Sequence, residues 1–235
     1  MSWRTSKLTL ALRDVGRNLG VNSFLQSFSK PTSYEDKFND ALLSSIKKND
    51  VVWDVGANVG HYTKLFAELA GPQGKVFAFE PSAQNYDKLA LNVDAFENVV
   101  LLPYGLGNKQ EKVSFKQGDD DLGATSQVVS DTASISGNFF EVDIRIGDIL
   151  VQSGVAAQPN FVKIDVEGFE LEVLTGMNEA LKNRRLRAVG VEVHFGLLTA
   201  RGMSGAPQQI ESLLRKSGFS CTWPDSSHIL ASRPE

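Results

Sequence analysis

The chain has 235 residues, 42% of them hydrophobic and 22% charged, enough to bury a substantial core as one large domain or two small ones. Its 24 Lys and Arg against 28 Asp and Glu leave a formal charge of −4; domains held to nucleic acid by phosphate contacts carry a basic excess, so nucleic acid is a disfavoured partner. No apolar run approaches the roughly 20 residues of a membrane-spanning helix, and the single cysteine, Cys221, excludes an intrachain disulfide and a Cys-based zinc site.

The stretch Leu8 to Leu12 is cut short by Arg13 and Asp14, so neither a signal peptide nor a membrane anchor is expected, and a reducing cytoplasm is the natural home. Leu8, Leu12, Val15 and Leu19, then Phe38, Leu42 and Ile46, recur at helical spacing on either side of Pro31, with Ser33 as a cap for the second run. Residues 1–49 therefore read as an N-terminal helical extension. Such helices cover structure, cover a ligand or mediate dimerisation, and the first use is the commonest, so a homodimer stays open.

From residue 50 short β-rich runs alternate with helical ones, the pattern of a parallel sheet with helices on both faces. Val51 to Val55 is a strand, and Tyr62, Leu65, Phe66 and Leu69 form a helical stripe stopped by Gly71 and Pro72. Val76 to Glu80 is the next strand, Tyr86, Leu89, Ala90 and Val93 a helix, and Val99 to Leu102 a third strand. The unit resumes with strand Phe161 to Asp165, a helix from Leu171, strand Ala188 to His194, and a helix holding Pro207, Ile210, Leu213 and Leu214 that Gly218 ends. Strands Phe219 to Trp223 and His228 to Ala231 are too close for a parallel crossover and predict an antiparallel hairpin. Residues 50–235 thus form one α/β, doubly wound, mostly parallel domain. An insertion around 105–147 alternates like strands at Val113 to Phe115 and Val142 to Ile146; its polar middle, Gly118 to Asn138, is either a solvated hairpin or a lid over the carboxyl edge of the sheet.

The sharpest local feature is Asp54-Val55-Gly56-Ala57-Asn58-Val59-Gly60, between a strand and a helix. Glycines there let the backbone turn tightly and approach a ligand, with free amides at the helix start facing it. Glu80 ends the following strand, where an acid accepts hydrogen bonds from both ribose hydroxyls, so a nucleoside-containing cofactor is implied. The dinucleotide pattern G-x-G-x-x-G is not met, since Asn58 and His61 stand where it needs glycine, and no Gly-Lys-Ser/Thr follows. A nicotinamide oxidoreductase is therefore disfavoured.

These residues resemble the class I S-adenosylmethionine-dependent methyltransferases, and within them the FkbM family. The likeness spans roughly 50 to 195 and is carried by the turn, Phe79-Glu80-Pro81-Ser82, Asn92, Leu106-Gly107-Asn108, Lys163 to Glu170 and Glu192-Val193-His194. The segment Lys163-Ile164-Asp165-Val166-Glu167-Gly168 is the most particular to the family, and Asn58 at the central glycine position fits it too. The resemblance implies a seven-stranded Rossmann-like sheet with an antiparallel last strand, and S-adenosyl-L-methionine as cofactor. The turn with Asp54, Gly56, Ala57, Asn58, Gly60 and Tyr62 would hold its methionine end, with Asp165 nearby; Glu80 and Pro81 would hold the ribose; Leu106 would border the adenine. It further implies methyl transfer to a hydroxyl of a small molecule, sugar or polyketide-type natural product.

Asp54, Asp165 and His194 each end a strand, so their side chains should converge on one edge. Methyl transfer needs an aligned acceptor and, for an alcohol, a proton acceptor. His194 ranks first because imidazole titrates nearest neutrality, with Asp165 and Glu167 as the other candidates; against it stands a histidine merely packed and hydrogen-bonded at a strand end. The same three residues offer ligands for a divalent metal, a use not favoured over base catalysis. Lys182, Arg184, Arg185 and Arg187 read as a solvated helix end. An RNA 2′-O-methyltransferase, with Lys163 and Asp165 near the site, and a non-catalytic scaffold that keeps the cofactor fold are the alternatives.

Overall fold

The computed structural model describes residues 34–116, 127–128 and 139–234. The first expected helix, the Ser33 cap and most of the stretch from Gly118 to Asn138 lie outside those residues. The described chain opens with α1 (Tyr34–Ser44), β1 (Val51–Val55), α2 (His61–Ala70), β2 (Lys75–Phe79), α3 (Ala83–Val93) and β3 (Val99–Leu102). A smaller sheet follows, from β4 (Gly105–Gly107), β5 (Glu111–Lys116), β6 (Gln127–Val128) and β7 (Phe139–Ile146). The main sheet resumes through α4 (Gly147–Gln152), β8 (Phe161–Ile164), α5 (Glu170–Gly176), α6 (Asn178–Lys182) and β9 (Ala188–Glu192). It closes with α7 (Phe195–Ala200), α8 (Ala206–Lys216), β10 (Ser220–Thr222) and β11 (His228–Ser232).

The main sheet has seven strands in the order β10-β11-β9-β8-β1-β2-β3. β1, β2, β3, β8 and β9 pair in parallel, while β11 runs antiparallel to both β9 and β10. The chain steps outward from β1 through β2 and β3, then returns to the other side of β1 with β8 and β9. That reversal opens a crevice at the carboxyl ends of β1 and β8, where open α/β sheets bind ligands.

Alternation within each strand splits the core. Trp53, Phe77, Val162 and Val189 face a cluster with Leu174, Met177, Leu181, Ile210 and Leu214 from α5, α6 and α8. Val52, Val76, Phe161 and Ala188 face the opposite way, against Phe38 and Leu42 of α1 and Phe66, Ala67 and Ala70 of α2. Strands covered on both faces read as unbroken apolar runs, which is why they were legible. Their buried charged exceptions, Asp54 and Lys163, both fall on the α1/α2 face.

Several elements differ from expectation. On α2 the buried residues are Thr63, Phe66, Ala67 and Ala70, and Leu69 is exposed; small side chains face the sheet because the helix lies close to it. β9 stops at Glu192, and His194 instead precedes α7, a helix the sequence did not announce. The insertion is a four-stranded sheet, β4-β7-β5-β6, with β5 and β7 antiparallel and β4 added in parallel to β7. Gly176 and Gly107 let α5 lie against β4, since a Cβ at Gly176 would stand 1.9 Å from the Gly107 carbonyl oxygen. No helix among the described residues is long and apolar enough to cross a membrane.

Candidate active site

The turn after β1 is shaped first by packing. Gly56 adopts φ +81°, and a Cβ there would lie 1.8 Å from the Asp165 carbonyl oxygen; Gly60 adopts φ +90°, and its Cβ would meet Leu89 of α3 at 2.6 Å. Both glycines thus answer to strand and helix neighbours, a different reason from the ligand approach expected of them. The amides of Gly56 and Ala57 both donate to the Phe79 carbonyl, and Asn92 fixes the turn by donating to the Val59 carbonyl at 2.9 Å.

Glu80 stands beside this turn. Its two carboxylate oxygens accept from the amides of Asn58 at 2.8 Å and Ser82 at 2.9 Å. Burial raises its pKa to about 7, against those amide hydrogen bonds and the Lys163 charge, which lower it. Asn58, at φ +50°, has a buried side-chain oxygen with no hydrogen-bond partner among the described residues. A buried acceptor without a donor, next to a carboxylate with lone pairs to spare, fits a hydroxyl-bearing nucleoside.

One strand over, Lys163 lies between Asp54 and Asp165, its ammonium 3.6 and 3.3 Å from their carboxylates and 3.3 Å from the Gly56 carbonyl. Burial disfavours the Lys163 charge, but Asp165 and Asp54 more than reverse this and raise its pKa. Asp54 is fully buried and also accepts from Thr63 at 2.7 Å; burial outweighs these partners and raises its pKa. Lys163 is fully accounted for as the counter-charge of the two acids.

His194 forms the other centre. It is 2% exposed, and its Nδ1 lies 2.6 Å from Oε1 of Glu170, itself fully buried and accepting the Gly168 amide at 2.9 Å. Nε2 faces the opposite way, 3.2 Å from Glu167, 3.7 Å from Asp165 and 3.9 Å from Glu192. Burial works against the imidazolium, but the Glu170 hydrogen bond and the surrounding carboxylates raise its pKa to about 9. Glu167 reaches inward from a backbone at φ +49°, followed by Gly168 at φ +94°. Glu192 also contacts His228, whose Nδ1 pairs with Asp225 at 2.8 Å and whose ring stacks on Phe38 of α1. Burial pushes Glu192 up, yet His228 and His194 bring it down to about 2.

The structure therefore brings Asp165, Glu167 and His194 together and sets Asp54 behind them. Pro81 approaches β4, and Leu106 is buried in the main core cluster. The Tyr62 hydroxyl donates to Asn39 of α1, and its ring lies 4.9 Å from the Lys163 ammonium, so Tyr62 links the extension to the site floor. Sequence reasoning missed Glu170 and His228 as parts of this cluster. Glu170 had a usable signal: it is an acid between Phe169 and Leu171, two residues after the segment most particular to the family. Of the basic cluster, Lys182 ends α6 and pairs with exposed Glu179, as a solvated helix end would, but Arg187 lies directly before β9 and pairs with the buried Asp50.

The model of the FkbM methyltransferase domain matches residues 54–221. The chain is 37% identical over 157 residues to the hexuronic acid methyltransferase AglP of Haloferax volcanii, a match covering 66% of this chain and 61% of that protein. It is 28% identical over 205 residues to the 31-O-demethyl-FK506 methyltransferase FkbM of Streptomyces tacrolimicus, covering 74% of each. Among solved structures, a Streptococcus mutans protein described as a methyltransferase, in complex with SAH, superposes with a TM-score of 0.53 at 13% identity, covering 87% of this chain and 100% of that one. That likeness shows the fold, a Rossmann-like class I methyltransferase fold. The chain belongs to the FkbM family of methyltransferases.

Proposed function

We propose that this chain transfers a methyl group from S-adenosyl-L-methionine to a hydroxyl of a small-molecule acceptor of the sugar or natural-product type. The observation that carries this reading is the adjacency, at the carboxyl edge of β1, β2 and β8, of the Glu80 and Asn58 acceptors and the Asp165, Glu167 and His194 cluster. The relatives named for a hexuronic acid and for a demethylated natural product support the acceptor class. The cytoplasm is the proposed compartment.

When bound, S-adenosylmethionine supplies an electrophilic methyl carbon on a sulfonium. Glu80 would accept the ribose hydroxyls, the Asn58 side-chain oxygen would accept a further donor from the nucleoside, and the turn from Asp54 to Gly60, with Ala57 and Tyr62, would hold the methionine end. Pro81 would border the adenine, whereas Leu106, expected there, is buried in the core cluster and could only support that wall from behind. Asp165 and Glu167 orient the acceptor hydroxyl for in-line attack, which is the main thing such a displacement needs from a protein. The proton of the acceptor hydroxyl would pass to the group made by Asp165, Glu167 and His194. Glu170 holds His194 by Nδ1, which turns Nε2 toward Asp165 and Glu167; with its pKa raised to about 9 the ring is charged at neutral pH, so the carboxylates would take the proton first and His194 would steady them.

The test is calorimetric titration with S-adenosylhomocysteine, followed by transfer of labelled methyl to simple sugars, hexuronates and hydroxylated extracts. Label that survives mild alkali marks an ether and supports hydroxyl transfer; label released by alkali marks an ester and overturns that part of the reading. Absence of S-adenosylhomocysteine binding overturns the whole.

A further inference from the structure

The structure assigns a second part of the acceptor site to a cavity of about 490 Å³ between the β4–β5 turn and the start of α5, where it would hold a sugar ring of the acceptor. The assignment narrows the acceptor class proposed above and rests on that reading. The size falls within the roughly 300–1,000 Å³ of small-molecule sites. Such sites are mostly apolar, and this one is not: Lys109, Glu111, Lys112, Ser114, Glu172 and Arg201 line it, with Phe169 among its few apolar members. An apolar acceptor seated there would strip water from charges of both signs and return no hydrogen bonds. A sugar hydroxyl donates and accepts at once, so carboxylate, ammonium and guanidinium all serve it.

The inner wall is held in place by its own contacts. Arg201 donates to the Gly168 carbonyl and to Oε1 of Glu172, and its guanidinium lies 3.8 Å from the centre of the Phe169 ring. Those bonds fix the plane of a group that carries five N–H donors. Glu172 is mostly buried, and its other oxygen, Oε2, is shielded from water with no hydrogen-bond partner among the described residues. A buried carboxylate oxygen without a donor is costly, and the last torsion of a glutamate is soft, so a small rotation brings Oε2 onto a hydroxyl in the cavity.

The cavity and the reacting groups share one turn. Glu167 at φ +49° and Gly168 at φ +94° directly precede Phe169. A Cβ on Gly168 would stand 3.0 Å from that of Leu197 in α7, so the turn is clamped between α7 and Arg201, and α7 itself begins directly after His194. A ring seated on Arg201 and Glu172 therefore bears on the backbone that carries Glu167. Binding away from the reacting atoms is how an acceptor is aligned with them.

The experiment is saturation-transfer NMR of methyl hexosides and methyl hexuronosides at millimolar concentration, with cyclohexanol as the apolar control, on the full chain saturated with S-adenosylhomocysteine. The glycosides should receive magnetisation and cyclohexanol should not. Ser114→Trp, which fills the cavity from β5, should abolish the glycoside signal. Glu172→Gln, which removes the charged acceptor and keeps its shape, should weaken glycoside binding at least about tenfold. S-adenosylhomocysteine affinity should be unchanged in both, and thermal unfolding of each variant separates lost binding from lost folding. No glycoside signal from a wild type that binds S-adenosylhomocysteine, an equal signal from cyclohexanol, or a glycoside signal that survives in Ser114→Trp overturns the sugar site and leaves the methyltransferase reading standing. Loss of S-adenosylhomocysteine binding in a folded Ser114→Trp gives the cavity to the cofactor and overturns it as well. A wild type that does not bind S-adenosylhomocysteine overturns both.

Discussion

On the proposed function, Glu80 should link the protonation state of the chain to its hold on the cofactor. Burial lifts its pKa to about 7, and both its oxygens already accept backbone amides. Ribose hydroxyls donate, so they bind the carboxylate in preference to the acid. The sign follows: affinity is fully present above about pH 8, and it falls as pH drops through 7. With only about one molecule in eleven ionised at about pH 6, the apparent dissociation constant there should be roughly tenfold higher than at about pH 8. Binding at the lower pH should also release close to one proton, measurable by calorimetry in two buffers of different ionisation enthalpy. Glu80→Ala removes two hydrogen bonds to a charged acceptor, about 1.5–3 kcal/mol each, so at least roughly 150-fold in affinity, and should abolish the pH dependence. An S-adenosylhomocysteine affinity that is flat between these pH values, or a slope that persists in Glu80→Ala, would refute the reasoning.

Three further outcomes test the frame around the site. Gly56→Ala places a Cβ 1.8 Å from the Asp165 carbonyl at φ +81°, so the carboxyl ends of β1 and β8 must part; a loss on the order of 2–4 kcal/mol is expected in denaturant titrations. Lys163→Met keeps the shape of the chain but strips the counter-charge from two acids, one fully buried, and should destabilise by about 3–5 kcal/mol in the same assay. Gly190→Ala brings a Cβ to 2.3 Å from Leu42 of α1 and should cost about 1–3 kcal/mol; combined with Leu42→Ala the loss should be smaller than the sum of the single losses, because the second change makes the room the first one needs.

How much of this was legible in the sequence depends on which residues carried a local signal. The parallel strands were, because Val51 to Val55, Phe161 to Ile164 and Ala188 to Val191 are buried on both faces and so uniformly apolar apart from Asp54 and Lys163. The closing hairpin was legible from distance along the chain alone. The face of α2 was not: Leu65 and Leu69 look like core, yet Thr63, Ala67 and Ala70 take the inward positions, since a hydroxyl must reach Asp54 and small side chains must let the helix approach. α7 has only six residues, too short for periodicity to announce it, and it moved His194 from a strand to a helix entry. The role of Glu170, though the acid itself stands out between Phe169 and Leu171, was hidden for a similar reason. Its partner is 24 residues away, and no spacing rule connects them.

The buried ionic groups at the carboxyl edge argue for a role beyond holding the fold. Along β1, β8 and β9 the interior is neutral until the last positions, where Asp54, Lys163, Asp165 and Glu192 appear, followed by His194. Each is compensated by another of the group or by Glu170 and His228; Asp54, Lys163 and His194 do so from buried positions, and Asp165 and Glu192 from partly exposed ones. Apolar residues of similar volume at such positions are commonly neutral or stabilising, whereas an unpaired buried charge is costly. A network of this kind is therefore not what stability alone would select. It holds several carboxylates and an imidazole in fixed directions at the crevice where β1 and β8 diverge, beside Glu80 and the unpartnered Asn58 oxygen proposed to hold the nucleoside. Orienting an oxygen nucleophile against a carbon electrophile needs fixed, charged groups of this sort. The face that carries them is also the one closed by α1, through Tyr62 on Asn39 and Phe38 on His228, so the helix before the sheet helps to set the geometry of the site.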